Sequence, residues 1–159
     1  MANALDDNKI TSLISLNKII SAAEYEDLKD LSRVKGKHRE SHISLKSSDG
    51  SDFVIKVRQN TINPLDFTVI FGYVMPNTNT VFRLKRFNGK YHEHRNKIEG
   101  DLFYDFHVHS ATERYQDQGL KEDAFAEVTS EYSDLDSAIE HMLNTCNISI
   151  TGSVQQKLV

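Results

Sequence analysis

Two His-x-His pairs, His92-Glu93-His94 and His107-Val108-His109, are the residues of this 159-residue chain whose types and spacing best suit chemistry. Alternate residues of an extended strand point to the same side, so each pair can direct two imidazoles at one place. The histidine pKa lies near neutrality, which suits proton transfer, and a neutral imidazole is also a common metal ligand. The two pairs therefore indicate either acid–base chemistry or a metal site.

The alternation of neighbouring residues predicts which side of a sheet the pairs occupy. In the segment 102–109, the residues predicted to face the core are Leu102, Tyr104, Phe106 and Val108. The opposite side then carries Phe103, Asp105, His107 and His109. By the same parity, Phe82 and Leu84 place Arg83 and Lys85 on that opposite side. A core-facing run of Phe53, Ile55 and Val57 places Lys56 and Arg58 there as well.

Asn88-Gly89 is a strong signal for a two-residue hairpin turn. Such a turn sets Lys85 opposite His92 and Arg83 opposite His94, which puts both histidines on the polar side. It also puts Glu93 and Arg95 on the core side, so the hairpin is predicted to extend past the core. The histidines and cations are therefore predicted to share one surface.

Such a surface suits acid–base chemistry on a phosphodiester, with one imidazole accepting a proton and another donating one. Arg and Lys side chains would stabilise the phosphate charge. Asp105 is predicted to orient His107 or to raise its pKa. The candidate catalytic residues are His92, His94, Asp105, His107 and His109, and the candidate nucleic-acid-binding residues are Lys56, Arg58, Arg83, Lys85 and Lys90. Cleavage of RNA through its own 2′-hydroxyl needs no metal.

A metal site is the competing interpretation, because the two pairs can supply three or four imidazoles and Asp105 an oxygen. Cations beside His92 and His94 disfavour a divalent ion, so no metal ligand and no cofactor is assigned. A third interpretation needs no chemistry, since the polar face of a sheet carries polar residues of some kind.

Composition and length indicate one domain spanning residues 1–159, with enough apolar residues for a core. No apolar run is long enough to span a bilayer, and the first residues do not resemble a secretory signal. Cys146 is the only cysteine, which excludes an internal disulfide. A cytoplasmic location without membrane association is predicted.

Charge is unevenly distributed, with a net −3 over residues 1–32, +7 over 33–99 and −8 over 100–159. The basic middle third could face a polyanion such as RNA, and the acidic C-terminal third could dock a protein partner. An ordinary solvated surface explains the same pattern. The oligomeric state is not assigned.

Hydrophobic periodicity predicts an α+β fold. The prediction is an antiparallel β meander over residues 38–109, with a helical N-terminal segment over 1–32 and a C-terminal helix over 133–145 packed on one face. Residues 147–151 are predicted to add a short edge strand.

The segment 82–94, with its Asn-Gly-Lys turn and first histidine pair, resembles a family of small uncharacterised prokaryotic domains. The second pair in 106–109 and the Ser-Asp-Leu start of the last helix are similar too, and the likeness covers about residues 65–145. More distantly, the chain resembles the TumE-type toxins of bacterial toxin–antitoxin pairs. The resemblance implies a cytoplasmic protein that acts near nucleic acid and is encoded on mobile DNA.

The leading hypothesis is an RNA-acting domain, a toxin-like or defence-related ribonuclease that uses a histidine surface. The first alternative is a non-catalytic module that binds protein or nucleic acid, or an inhibitor, and the second is a metal-binding protein.

Overall fold

Alternating apolar residues form an antiparallel sheet of seven strands in the computed structural model, which describes residues 4–152. In chain order, the elements are α1 (Asp7–Ser15), β1 (Lys18–Ser21), α2 (Ala22–Lys29), β2 (Arg33–Lys35), β3 (His38–Lys46), β4 (Asp52–Asn60), β5 (Phe67–Val74), β6 (Val81–Asn88), β7 (His94–Arg95), β8 (Leu102–Phe103), β9 (His107–Ser110), α3 (Glu113–Asp117), β10 (Phe125–Val128), α4 (Leu135–Thr145) and β11 (Ile148–Thr151). The strand order of the main sheet is β10-β9-β6-β5-β4-β3-β2.

One face of this sheet packs against α1, α2 and α4, and we call it the helix-covered face. Its buried apolar residues include Leu13, Leu28, Phe53, Phe71, Phe87 and Ile139. A capping box between Asp134 and Ser137 begins α4, whose apolar stripe then lies on the sheet. The predicted α+β fold, with a helical N-terminal segment and a C-terminal helix on one face, is confirmed. We call the other side the open face.

The N-terminal segment contains two helices with a strand between them. Ser21 begins α2 through a capping box with Glu24, and this cap separates α2 from β1. β1 pairs in parallel with β11 in a separate two-stranded sheet. A strand near the predicted C-terminal position is therefore present, but its partner is the N-terminal segment. Residues 1–3 of the predicted helical segment lie outside the described residues.

The predicted Asn88-Gly89 hairpin turn is wrong. β9 occupies the edge of β6 that the returning strand would have used, with Arg86 opposite His109. Neither Asn88 nor Gly89 has a positive φ, and the Gly89 N–H donates to the Phe67 carbonyl at 2.9 Å. A Cβ on Gly89 would lie 1.8 Å from the Leu65 carbonyl oxygen. This glycine permits close backbone approach rather than a turn.

A β-bulge in β6 changes the predicted parity of its cations. The register with β5 shifts between Phe71 and Gly72, so Arg83 and Arg86 both reach the open face. Lys85 lies instead on the helix-covered side, where its ammonium donates to Ser110 Oγ at 2.9 Å. The predicted placement of Lys85 beside the histidines is therefore wrong.

The single strand predicted over 102–109 is broken into two. Leu102 and Tyr104 are 49% and 48% exposed, because β8 pairs with β7 outside the main sheet. Phe106 and Val108 pack against the core as predicted. The parity of the second half therefore holds, and it places His107 and His109 on the open-face side of β9.

The open face has two parts with different coverings. The β7–β8 hairpin covers the end at β9 and β10, while the strands from β2 to β6 line a groove. Among residues 4–152, no helix is long and apolar enough to cross a bilayer.

Candidate functional site

The groove on the open face, which we call the basic groove, has a volume of about 640 Å³. Seven Lys and Arg residues and one acid, Glu40, contribute to its lining. The cations are Arg33, Lys35, Lys56, Arg58, Arg83, Arg86 and Lys121. Three strands, β2, β4 and β6, present all of these side chains except Lys121, because alternate residues of the meander point away from the helices. The groove therefore concentrates positive charge in a concave surface.

Most cations of the basic groove have no acidic partner. Within the described residues, Lys56 and Arg58 form no ion pair, and the same holds for Arg33, Lys35 and Lys121. Arg58 lies opposite Glu40 in the β3–β4 ladder, yet the two side chains do not pair. Five cations thus remain available to an external anion.

Arg83 and Arg86 differ from the other groove cations because they pair with acids. Arg86 Nε donates to Asp123 Oδ2 at 3.0 Å, and Arg83 Nε lies 3.4 Å from the same oxygen. Arg83 also lies 3.5 Å from Glu122. Asp123 is fully buried, so its charge is held between the two guanidinium groups. Two positive charges are therefore offset by two negative ones.

Three of the four paired histidines meet beside Arg86, and we call His94, His107 and His109 the histidine cluster. The ring centroids lie 4.8 Å apart for His94 and His109, 5.0 Å for His107 and His109, and 5.4 Å for His94 and His107. β9 supplies two of the rings and the β7–β8 hairpin lays the third across them. The two sequence pairs therefore do come together in space.

Backbone carbonyls fix the tautomers of the two buried histidines. His107 Nδ1 lies 2.7 Å from the Asp105 carbonyl oxygen, and His109 Nδ1 lies 2.7 Å from that of Asp123. A carbonyl oxygen can only accept, so both Nδ1 atoms carry the proton. The Nε2 atom of each ring is left with a lone pair.

Asn96 fixes the tautomer of His94. The Asn96 amide donates to the Ala126 carbonyl at 2.7 Å and accepts from the Ala126 N–H at 2.9 Å, which sets its orientation. Its oxygen also lies 2.9 Å from His94 Nε2, which must therefore donate. The lone pair of His94 consequently lies on Nδ1.

Burial controls the charge of His107 and His109. Desolvation lowers the pKa of His107 to about 4 and that of His109 to about 2. The Arg86 guanidinium, 3.3 Å from His109 Nδ1, lowers the pKa of His109 further. Both rings are neutral near pH 7, so neither can act as a general acid there.

His92 lies at the junction of the two parts of the open face. It is exposed, its ring centroid lies 5.9 Å from that of His107, and it lines the basic groove. It also lines a smaller cavity of about 260 Å³ beside His94 and His109. An external ligand in the groove could therefore reach the cluster past His92.

The remaining predicted site residues occupy different surroundings. Asp105 reaches His107 through its backbone carbonyl, while its carboxylate is exposed and lies 4.0 Å from Lys90 Nζ. Lys56 and Arg58 lie in the basic groove, as the alternation of core-facing and outward-facing residues in β4 predicts. Lys90 is not among the residues that line the groove.

Three residues near the cluster were missed by the sequence reasoning: Arg86, Asn96 and Asp123. The spacing of core residues Phe82, Leu84 and Phe87 changes from two to three, which is a bulge signal that could have revealed Arg86. Asn96 and Asp123 follow no local pattern, because their partners are distant in sequence.

Fold and site together define a small α+β domain with a basic open sheet face and a buried histidine cluster at one end. The chain matches the family of unknown function DUF6978 over residues 5–148 and belongs to that family. Neither the curated proteins nor the solved structures include a significant match.

Proposed function

We propose that this domain binds single-stranded RNA along the basic groove. The observation that carries the proposal is the set of five unpaired cations in one concave surface of about 640 Å³. Polyanion binding draws its affinity largely from phosphate contacts of this kind. An open antiparallel sheet face is also a common platform for single-stranded RNA.

Aromatic side chains at the end of the groove favour a single strand over a duplex. Tyr91 lines the groove, and its ring centroid lies 4.3 Å from that of His92. Unstacked bases can lie on such rings, whereas the bases of a duplex are stacked on one another. The phosphates would then follow Lys56 and Arg58 across the sheet.

The distant resemblance of the chain to TumE-type toxins supports the same assignment. It fits an RNA-acting, toxin-like or defence-related protein in the cytoplasm of a prokaryote. The non-catalytic alternative, in which the acidic C-terminal third docks a protein partner, predicts no RNA binding by the groove.

Fluorescence anisotropy with a labelled single-stranded RNA of mixed sequence tests the proposal. We expect a dissociation constant of about 1–100 μM near physiological salt, the range of sequence-independent binding. The double variant Lys56→Ala/Arg58→Ala should lower the slope of log K against log salt by about 1.4, since each single-strand phosphate contact contributes about 0.7. Both side chains are exposed, so the fold should be retained.

The matched control is Lys9→Ala/Lys29→Ala, which removes the same charge from α1 and α2. Its affinity and slope should match the unmodified protein. Equal weakening by both double variants would mean that net charge alone attracts RNA, and absence of binding would overturn the proposal.

Cleavage of the bound RNA is a second candidate function, favoured by the position of His92 between the groove and the cluster. In this reaction the 2′-hydroxyl oxygen bonds to phosphorus and the phosphorus–O5′ bond breaks. One group accepts the hydroxyl proton and another protonates O5′. His92 is exposed and can exchange a proton with bound RNA, whereas buried His107 and His109 cannot.

A denaturing gel of RNA incubated with the protein tests cleavage separately from binding. His92→Ala should lower the cleavage rate by about 100-fold, the lower end for loss of a general acid or base, and should retain binding. His42→Ala removes another exposed groove imidazole and should change the rate less than twofold. Intact RNA with the unmodified protein would exclude this candidate.

A further inference from the structure

We infer that the histidine cluster binds one divalent transition-metal ion, with His94 Nδ1, His107 Nε2 and His109 Nε2 as its ligands. Imidazole nitrogen suits Zn²⁺, Cu²⁺ and Ni²⁺ rather than Mg²⁺ or Ca²⁺. The inference stands independently of RNA binding, because it rests on a different part of the open face.

The spacing of the three rings fits a common ligand position. One nitrogen from each histidine lies within 4.8 Å of the others. Ligands about 2.0–2.1 Å from Zn²⁺ stand about 3.4 Å apart in a tetrahedron, so the most distant nitrogens need to draw together by about 1.4 Å. His94 is only half-buried and lies on the two-residue strand β7, so it can supply most of this movement.

The second ring nitrogens carry the hydrogen bonds that metal-binding histidines usually make. In protein metal sites, the nitrogen away from the metal commonly donates to a backbone carbonyl or another acceptor. Here His107 donates to Asp105, His109 to Asp123 and His94 to Asn96. All three lone pairs are thus set before a metal arrives, which lowers the entropic cost of binding.

Charge near the cluster does not repel a cation as strongly as the sequence suggests. Lys85 lies on the helix-covered side, and the Arg86 charge is offset by buried Asp123. Asp123 thereby holds both the orientation of His109 and the local charge balance.

Buried polar side-chain atoms without a hydrogen-bond partner concentrate around the cluster. Among the described residues, the side-chain atoms of this kind are Arg83 Nε, Asn88 Oδ1 and Asp123 Oδ1. Asn88 Nδ2 lies 3.5 Å from His107 Nε2, and the other two belong to the ion pairs beside His109. Such atoms are rare in folded proteins and are often found where a ligand or ordered water binds.

Three protein ligands leave a tetrahedral ion one open position. Catalytic zinc sites have this ligand count, whereas structural sites usually have four protein ligands. His94 and His109 line the cavity of about 260 Å³, together with His92 and four cations, which are Arg86, Arg95, Lys97 and Lys121. A small anion or a water molecule in that cavity could occupy the fourth position.

Calorimetric titration of the EDTA-treated, full-length protein with Zn²⁺, in the absence of RNA, tests the inference. We expect one ion per chain, and we expect His94→Ala and His109→Ala each to weaken binding at least 100-fold. His42→Ala is the matched control, because it removes an exposed histidine from the same sheet face, and its affinity should be unchanged.

His109 is buried, so weak binding by His109→Ala could result from misfolding instead of the loss of a ligand. Two further measurements separate these causes. His94 is half-buried, so His94→Ala should keep the circular dichroism spectrum of the unmodified protein. In the unmodified protein, Zn²⁺ should shift the NMR ring signals of His94, His107 and His109 and leave those of His38, His42 and His141 in place. No stoichiometric binding, or binding that persists in folded His94→Ala, would overturn the inference.

These experiments test the RNA-binding proposal and the metal-site inference separately. Loss of RNA binding with Zn²⁺ binding retained removes only the proposed function. Loss of Zn²⁺ binding with the anisotropy result retained removes only the metal site.

Discussion

Two buried polar centres lie on opposite faces of the main sheet. On the helix-covered face, the Lys18 ammonium donates to the carbonyls of Ile14, Leu16 and Cys146 at 2.7–2.9 Å. On the open face, His94 and His109 each leave one ring nitrogen with an unused lone pair, and Nε2 of His107 has only a long contact of 3.5 Å with the Asn88 amide. Lys18 has therefore used all its hydrogen-bonding capacity, whereas His94 and His109 have not.

The difference separates a structural group from a candidate ligand-binding one. An ammonium has three donors, and Lys18 uses all three at the C-terminal ends of α1 and α4. Its Nζ also lies 5.1 Å from the ring centroids of Phe53 and Phe71. Burial lowers the Lys18 pKa to about 8, so it remains charged near pH 7. Lys18 therefore has no free donor with which to bind a ligand.

Lys18→Met should have the largest effect on stability. It keeps the packing volume but leaves three carbonyls without their donor, and each such loss costs about 1–3 kcal/mol. We expect urea unfolding to show a loss of about 3 kcal/mol or more. Lys46→Met, at an exposed ion pair with Asp52, should change stability by less than about 0.5 kcal/mol. A loss below about 1 kcal/mol for Lys18→Met would mean that the two centres do not differ in this way.

Acid should destabilise the metal-free protein through His107 and His109 and not through Lys18. His107 and His109 have lowered pKa values when folded, so below pH 6.5 the unfolded chain binds protons that the folded protein does not. Their stability contribution is complete above about pH 6.5 and falls as pH decreases towards 4. Between pH 7.5 and 5.5 we expect a loss of about 2–3 kcal/mol, at about 1.4 kcal/mol per unit for each histidine.

Denaturant unfolding of the EDTA-treated protein at several pH values measures this loss. His94, Arg86 and Asp123 face the two rings. NMR titration of the rings provides the assignment without a variant. Signals of His107 and His109 that titrate near pH 6.5 would contradict the prediction. Lys18→Met should keep nearly the same pH dependence, because a group with a pKa of about 8 stays mostly protonated below pH 7.5.

Asn96→Ala should have a smaller effect, on metal affinity. It removes the acceptor that orients His94 but leaves the partners of His107 and His109 in place. Loss of one such orienting group weakens Zn²⁺ binding about 10-fold, towards the lower end of the usual 10–100-fold range. Asn79→Ala, in the exposed turn between β5 and β6, serves as the control in the same calorimetric titration. Equal affinities for both variants would show that Asn96 does not position His94.

The helix-covered face was largely predictable from sequence, because apolar periodicity reports burial directly. The alternation of Phe53, Ile55 and Val57 and the apolar stripe of α4 both match the structure. Periodicity also placed His107 and His109 on the side of β9 away from the helices. It failed at Lys85, because one extra residue in a bulge reverses every side chain beyond it.

The covering of the cluster could not be predicted, because it depends on contacts between distant segments. Asn88-Gly89 has the local signature of a hairpin, yet β9 pairs with β6 and removes the partner edge. Asn96 reaches Ala126, and Asp123 reaches His109, across 30 and 14 residues respectively. Such pairs carry no short-range pattern, so only the three-dimensional structure brings them together.

The parallel pairing of β1 with β11 also determines when the protein can finish folding during its synthesis. Lys18 lies opposite Ile148, so the pair closes a loop that contains nearly the whole chain. The ribosome synthesises the N-terminal end first, so β1 cannot pair until β11 has emerged. Until then Lys18 lacks its Cys146 acceptor, and α4 is not yet available to cover the sheet. We therefore expect the apolar side of the sheet to lack its α4 covering until residues 135–148 have left the ribosome.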